Sequence, residues 1–200
     1  MTVEQKLESA IWIAQSLFDR GKATGSSANL SFREYNKIYI TGSGTCFGGL
    51  TRMDFSVIDM EGNHIEGKKP SKELSLHKTL YDKDSDIQSV IHTHSFYSAL
   101  WSCLNHQNEN DIIPEYTPYL RMKIGKIGLV PYAPPGSTKL FEYFEEKVND
   151  SDGFILQNHG PVVGDKDLMS TFYDLEELED SARIAWELRH ENANLISQIN

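Results

Sequence analysis

The sequence predicts an α/β fold in a single domain covering residues 1–200. Three observations carry this. Short apolar runs such as KIYI and GFIL end in turn-forming or polar residues, as buried strands do. Longer segments repeat apolar residues every three or four positions, as amphipathic helices do. The two kinds meet directly at IHTHSFYSALW, where an apolar strand pattern feeds a helical one.

The totals bound what such a domain can do. A chain of 200 residues suits one domain with a substantial core. It carries 19 basic and 29 acidic residues, a net charge of −10, which argues against a nucleic-acid or anionic-membrane partner. An anionic small substrate remains compatible, given a local positive site such as a metal ion, a lysine or a helix N-terminus. Cys46 and Cys103 have no CxxC partners, so neither a disulfide framework nor a cysteine zinc site is expected. No apolar run approaches the roughly 18 residues of a membrane span, and the first residues have no apolar signal core. A cytoplasmic location follows as the default.

From about Val3 to Arg20, residues Leu7, Ala10, Ile11, Ala14, Leu17 and Phe18 form a helical stripe that Gly21 ends. GKATGSS is a small, polar loop before the strand NLSFR. KIYITGSG repeats the scheme, a strand followed by a glycine-rich turn. Its glycines are too irregular for a dinucleotide fingerprint. Both loops are either strand-end turns or amides and hydroxyls (Ser26, Asn29, Ser43) gathered to hold an anion. FSVIDMEGNHIEG reads as a solvent-facing hairpin broken at Glu61–Asn63, with His64 exposed.

Ser71 caps the next expected helix, and Leu74, His77, Leu80 and Tyr81 share its face. Glu73 falls in its first turn, either as a charge favoured by the helix dipole or as a carboxylate of a site. In the second case Ser71, Lys72 and the helix N-terminus would offer an anion pocket. His77 reads as a core histidine or as one supporting the site.

Ile87, Val90 and Ile91 form a strand that delivers His92 and His94. Alternate strand residues share a face, so the two imidazoles are either ligands of one metal ion or a hydrogen-bonded, half-buried pair. The helix that follows is apolar at Phe96, Ala99, Leu100, Cys103 and Leu104. Asp111 to Tyr119 is a loop, Ile124 to Val130 a short strand, and Pro131 to Gly136 a stiff turn. Ser137 or Thr138 caps a helix to about Val148. The strand from Gly153 to Gln157 delivers His159. Asp167 to about Arg189 is a long final helix whose cluster Asp174, Glu176, Glu177, Glu179 and Asp180 reads as a solvated face. Three histidines at strand ends would make an open, catalytic-type metal site. Zinc is the expected ion, with manganese or cobalt as alternatives.

GSSANLSFR, ITGSG, PSKELSLH, IHTHS and QNHG occur in this order at spacings that resemble the class II aldolase/adducin-like family of sugar-phosphate enzymes. The resemblance runs from the first helix to the last. It implies an α/β three-layer sandwich around a mixed, mostly antiparallel sheet. It assigns the metal to His92, His94 and His159, and to Glu73 an acid/base role together with metal ligation before substrate arrives. It places Ser26, Asn29, Ser43, Gly44 and Ser71 in a phosphate pocket, and it implies a homotetramer. Lys72 stands where fuculose-phosphate aldolases tend to have a second serine. With IPEYTPYLRMKIGKIGLVPYAPPG, it looks more like the 3-oxo-tetronate 4-phosphate decarboxylases, whose substrate carries a carboxylate as well as a phosphate. The resemblance thus implies a metal-dependent carbon–carbon lyase acting on a phosphorylated small molecule. Alternatives are a sugar-phosphate aldolase, a pentulose-phosphate 4-epimerase, or a non-catalytic scaffold like the adducin head. Tyr116, Tyr119 and Tyr132 are candidates for a second proton carrier.

Overall fold

The structure is a computed structural model that describes residues 1–198. These residues form six α-helices and a mixed sheet of eight strands, in the order β4-β3-β2-β1-β5-β8-β7-β6. Two compact units divide the chain: Met1–His94 with Gly164–Phe172, and Ser95–Val163 with the residues from Tyr173 onward. No helix among the described residues is long and apolar enough to cross a membrane.

The first unit opens with α1 (Val3–Asp19). Thr2 caps it by accepting from the Gln5 amide, and the Gln5 side chain returns the bond to the Thr2 amide. Its buried stripe is Ala10, Ile13, Ala14 and Leu17. Gly21, at φ +68°, releases the chain from the helix as a left-handed residue can.

Five strands of this unit pair antiparallel: β1 (Asn29–Glu34) lies between β2 (Lys37–Thr41) and β5 (Ser89–His92), and β3 (Phe55–Asp59) lies between β2 and β4 (His64–Gly67). The register sets Asn29 opposite His92 and Ser31 opposite Val90. The β3–β4 hairpin is only half solvent-facing. All of β4 is exposed, whereas Phe55 to Ile58 are buried, because β3 has β2 on its other side.

Helix α2 (Leu74–Lys83) starts later than its sequence suggests, with Glu73 rather than Ser71 at the cap position. Leu74 and Leu76 bond back to the carbonyls of Ser71 and Glu73, a tight entry turn that precedes the regular helix. Ser71 still serves this entry, its hydroxyl accepting from the Glu73 amide at 3.3 Å.

The second unit holds α3 (Phe96–Ser102), α4 (Tyr119–Lys123), β6 (Ile127–Val130), α5 (Thr138–Lys147), β7 (Gly153–Leu156), most of β8 (Gly160–Asp165) and most of α6 (Leu168–Leu188). β6 and β7 run parallel; β7 and β8 are antiparallel. Ser137 caps α5 by accepting from the Leu140 amide. Helix α4 is absent from the sequence reading, which has a loop running into that stretch.

Two sequence expectations about this unit are corrected together. The buried face of α3 is Ser98, Trp101 and Ser102, while Phe96 is 64 % exposed. The reason is Glu179, which was expected in a solvated acidic face but is buried. Its carboxylate accepts from the amides of Tyr97 and Ser98 and from the Ser98 hydroxyl at 2.7–2.9 Å. These satisfy helix-start donors that the side chain of Ser95 leaves alone. Asp174 is buried as well.

Candidate active site

β5 ends at His92, and Thr93 and His94 continue past it. The two imidazole rings remain adjacent, with centroids 5.2 Å apart and planes at 63°. His159 follows β7 at the turn into β8, after Asn158 in a left-handed conformation at φ +56°. Asn158 is one of the few residue types that accept this conformation without great strain. Its amide is held by the Ser102 hydroxyl at 2.9 Å. One ring nitrogen from each of His92, His94 and His159 lies within 4.8 Å of the others.

Glu73 sits beside this group. Its Oε2 lies 3.3 Å from His92 Nε2 and accepts from Asn29 Nδ2 at 2.9 Å. Two donors bound tetrahedrally at zinc distances stand about 3.3–3.4 Å apart, so the pair fits one coordination sphere. Burial pushes the His94 imidazole below its usual range, with the charge of Glu73 working against the shift. Neutral imidazole is the form that binds metal. By donor chemistry and spacing, the three histidines and Glu73 suit a divalent cation.

Behind Glu73 is a buried polar chain. Asn29 Oδ1 meets His77 Nε2 at 2.5 Å, His77 Nδ1 meets Ser31 Oγ at 2.7 Å, and Ser31 Oγ meets the Tyr81 hydroxyl at 2.6 Å. Ser31 and Tyr81 were not recognised from the sequence as part of a site. The signals were present: Ser31 shares the β1 face of Asn29, two residues on, and Tyr81 follows His77 by one helical turn.

The expected anion-binding residues divide into two groups. Ser43 and Ser71 are brought close through backbone pairing. The Ser43 amide bonds Lys69 O at 2.8 Å, the Ser71 amide bonds Thr41 O at 3.2 Å, and Gly42 bridges to Pro70. Gly44 takes φ +75° in the turn closed by the Thr45 amide on Gly42 O, which requires a left-handed residue at this point. Ser43 and Ser71 are half-buried, and Gly44 and Lys72 are exposed. Asn29 stands apart in character: it is buried, and both ends of its carboxamide are engaged by His77 and Glu73. Ser26 is exposed in the turn that the Ser27 amide closes on Thr24 O. Tyr119 and Tyr132 are more than half exposed and Tyr116 is half-buried, which selects none of them as a proton carrier.

Comparison with known proteins bears on this arrangement. Residues 8–186 match the model of the Class II Aldolase and Adducin N-terminal domain. The chain is 36 % identical over 190 residues to the 3-oxo-tetronate 4-phosphate decarboxylase of Haemophilus influenzae, covering 94 % of this chain and 90 % of that one. It is 40 % identical over 174 residues to the L-fuculose phosphate aldolase of Methanocaldococcus jannaschii, covering 87 % and 92 %. The crystal structure of YgbL from Klebsiella pneumoniae superimposes with a TM-score of 0.93 at 35 % identity, over 97 % of this chain and 94 % of that one. With the family match spanning both units and relatives of this identity along nearly the whole length, the chain belongs to the class II aldolase and adducin N-terminal domain family.

Proposed function

We propose that this chain is a divalent-metal-dependent carbon–carbon lyase that decarboxylates a 3-oxo-tetronate 4-phosphate to dihydroxyacetone phosphate and carbon dioxide. The observation that carries it is the gathering of His92, His94 and His159 nitrogens within 4.8 Å, in a chain whose relatives include the decarboxylase of Haemophilus influenzae. The family match across residues 8–186 supports a single functional domain. Zinc is the proposed ion, held by the three histidines and by Glu73 until substrate arrives. A homotetramer in the cytoplasm completes the reading.

The chemistry follows from the substrate. Its carbonyl is β to the carboxylate, so breaking the bond to the carboxyl carbon leaves an electron pair that delocalises onto the carbonyl oxygen as an enediolate. A divalent cation supplies Lewis-acid stabilisation of such charge when bound. Glu73, after taking up a proton from water, delivers it to the carbon that lost the carboxylate, which yields dihydroxyacetone phosphate. Its carboxylate is held for this by Asn29 at 2.9 Å. Ser43, Gly44 and Ser71, with Ser26 at the margin, bind the phosphate through hydroxyls and the Gly44 amide. That grip supplies positioning energy remote from the broken bond. Lys72, next to Ser71 and exposed, pairs with the substrate carboxylate or the phosphate.

The aldolase reading stays as the second, because the Methanocaldococcus jannaschii relative is an L-fuculose phosphate aldolase at 40 % identity. Both reactions collect charge on an oxygen next to a carbonyl; only the leaving fragment differs. The deciding experiment assays purified, zinc-loaded protein with 3-oxo-tetronate 4-phosphates and with L-fuculose 1-phosphate. Carbon dioxide release from the first supports the decarboxylase. Aldehyde release from the second, with none of the first reaction, reverses the ranking. A pentulose-phosphate 4-epimerisation assay covers the remaining enzyme alternative.

A further inference from the structure

The buried chain behind Glu73 has one consistent direction. Asn29 presents Nδ2 to Glu73 Oε2 and therefore Oδ1 to His77 Nε2. A carboxamide oxygen only accepts, so Nε2 must carry the proton. His77 is completely buried, and that burial, followed by the charge of His92, pushes its imidazole down to about 3. The ring is thus neutral, and Nδ1 keeps its lone pair. Ser31 must donate to Nδ1 at 2.7 Å, which leaves the Ser31 oxygen to accept from the Tyr81 hydroxyl at 2.6 Å. Burial holds the Tyr81 phenol protonated, so it is always available as this donor. Each proton position follows from the one before it, and all point toward Glu73.

We infer that His77 is a positioning residue for Glu73: its Nε2–H tautomer, with Nδ1 satisfied by Ser31 and Tyr81 behind it, locks the Asn29 carboxamide with its NH2 group on the Glu73 carboxylate. Were the amide to flip, its oxygen would face the carboxylate and repel it. The relay therefore holds Glu73 as an oriented acceptor, 3.3 Å from His92 Nε2, before substrate enters. The functional part of this rests on Glu73 being the proton carrier, whereas the tautomer assignment does not.

The test has two arms. In zinc-loaded protein carrying 15N-labelled histidine, long-range 1H–15N spectra should show His77 as the neutral Nε2–H tautomer, assigned by its disappearance in His77→Gln. A Nδ1–H tautomer or a charged ring overturns the inference. In kinetics, His77→Leu should lower kcat by about 10- to 100-fold with KM and zinc stoichiometry unchanged, as loss of a group orienting a site residue does. His77→Gln offers an amide N–H near the Nε2 position and should recover most of that loss. Equal damage from Leu and Gln overturns the positioning role. If His77→Leu does not fold, Ser31→Ala replaces it, with the same loss of kcat and a mixed tautomer expected. Should Glu73→Gln turn over normally, the proton-carrier reading falls while the tautomer result stands.

Discussion

Asn29 and Glu73 are joined at 2.9 Å by a buried hydrogen bond between a β1 side chain and the cap position of α2. Asn29 also stands directly across from His92, the last residue of β5. One sheet register therefore places the proposed base against a proposed metal ligand.

Removing an imidazole should empty the site. In His94→Ala, bound zinc measured by elemental analysis should fall well below one ion per chain, and activity should go with it. The unliganded fold should persist, because the site lies at the end of β5 rather than in the core of the sheet. Stoichiometric zinc in His94→Ala would contradict the proposed ligand set.

Glu73→Gln should separate metal binding from proton transfer. Zinc should remain near stoichiometric, since three imidazoles suffice for an open site. Turnover should drop by about 10²- to 10⁴-fold, the usual contribution of a positioned acid or base. Wild-type kcat in this variant would remove Glu73 from the mechanism.

The phosphate pocket should be legible in KM. Ser71→Ala removes a hydroxyl proposed to bond the phosphate, and bonds to charged groups contribute about 1.5–3 kcal/mol, so KM should rise about tenfold or more. Lys72→Ser should weaken the acid substrate more than a neutral sugar phosphate. Equal losses on both would make Lys72 a phosphate ligand or a bystander.

Glu179 should matter for stability rather than for chemistry. It accepts three hydrogen bonds at the start of α3, and its loss leaves those buried donors without this acceptor. Glu179→Ala should cost about 3 kcal/mol in urea unfolding. Exposed Glu187→Ala on the same helix should stay within about 0.5 kcal/mol.

His77 should add an acid-side slope to stability. Its value falls from 6.5 to about 3 on folding, so the unfolded chain takes up the proton first as pH drops. The associated stability is fully present above about pH 6.5 and is lost progressively as pH falls toward 3, by up to about 1.4 kcal/mol per pH unit. Metal-free His77→Gln should therefore lose less stability than the wild type between pH 6.5 and 5. An identical loss in the two proteins would show that the His77 value does not fall on folding.

Much of the chain was legible by itself because its signals are local. The extent of α1, the turn after Thr41, the strand into His92 and the cap at Ser137 each depend on residues close in sequence. Where tertiary packing outweighed local pattern, the reading failed. Glu179 was expected in water, and Phe96 was expected to pack, yet their environments are reversed. A carboxylate far along the chain satisfies the α3 amides and turns the serine face inward. The same limit applied to α4, a short helix entered from Pro118, where no apolar period could announce it.

The sequence by itself determined the chemical inventory: three histidines after apolar strands, a glutamate at a helix start, and glycine–serine turns, arranged as in a known family. Only the tertiary structure decided how those groups relate. Strand register put Asn29 across from His92, the α2 entry turn put Glu73 against both, and burial fixed which nitrogen of His77 carries its proton. Residue types and spacings follow from the covalent chain. Distances between buried polar groups follow from the packing that removes water and leaves each group only its neighbours as partners.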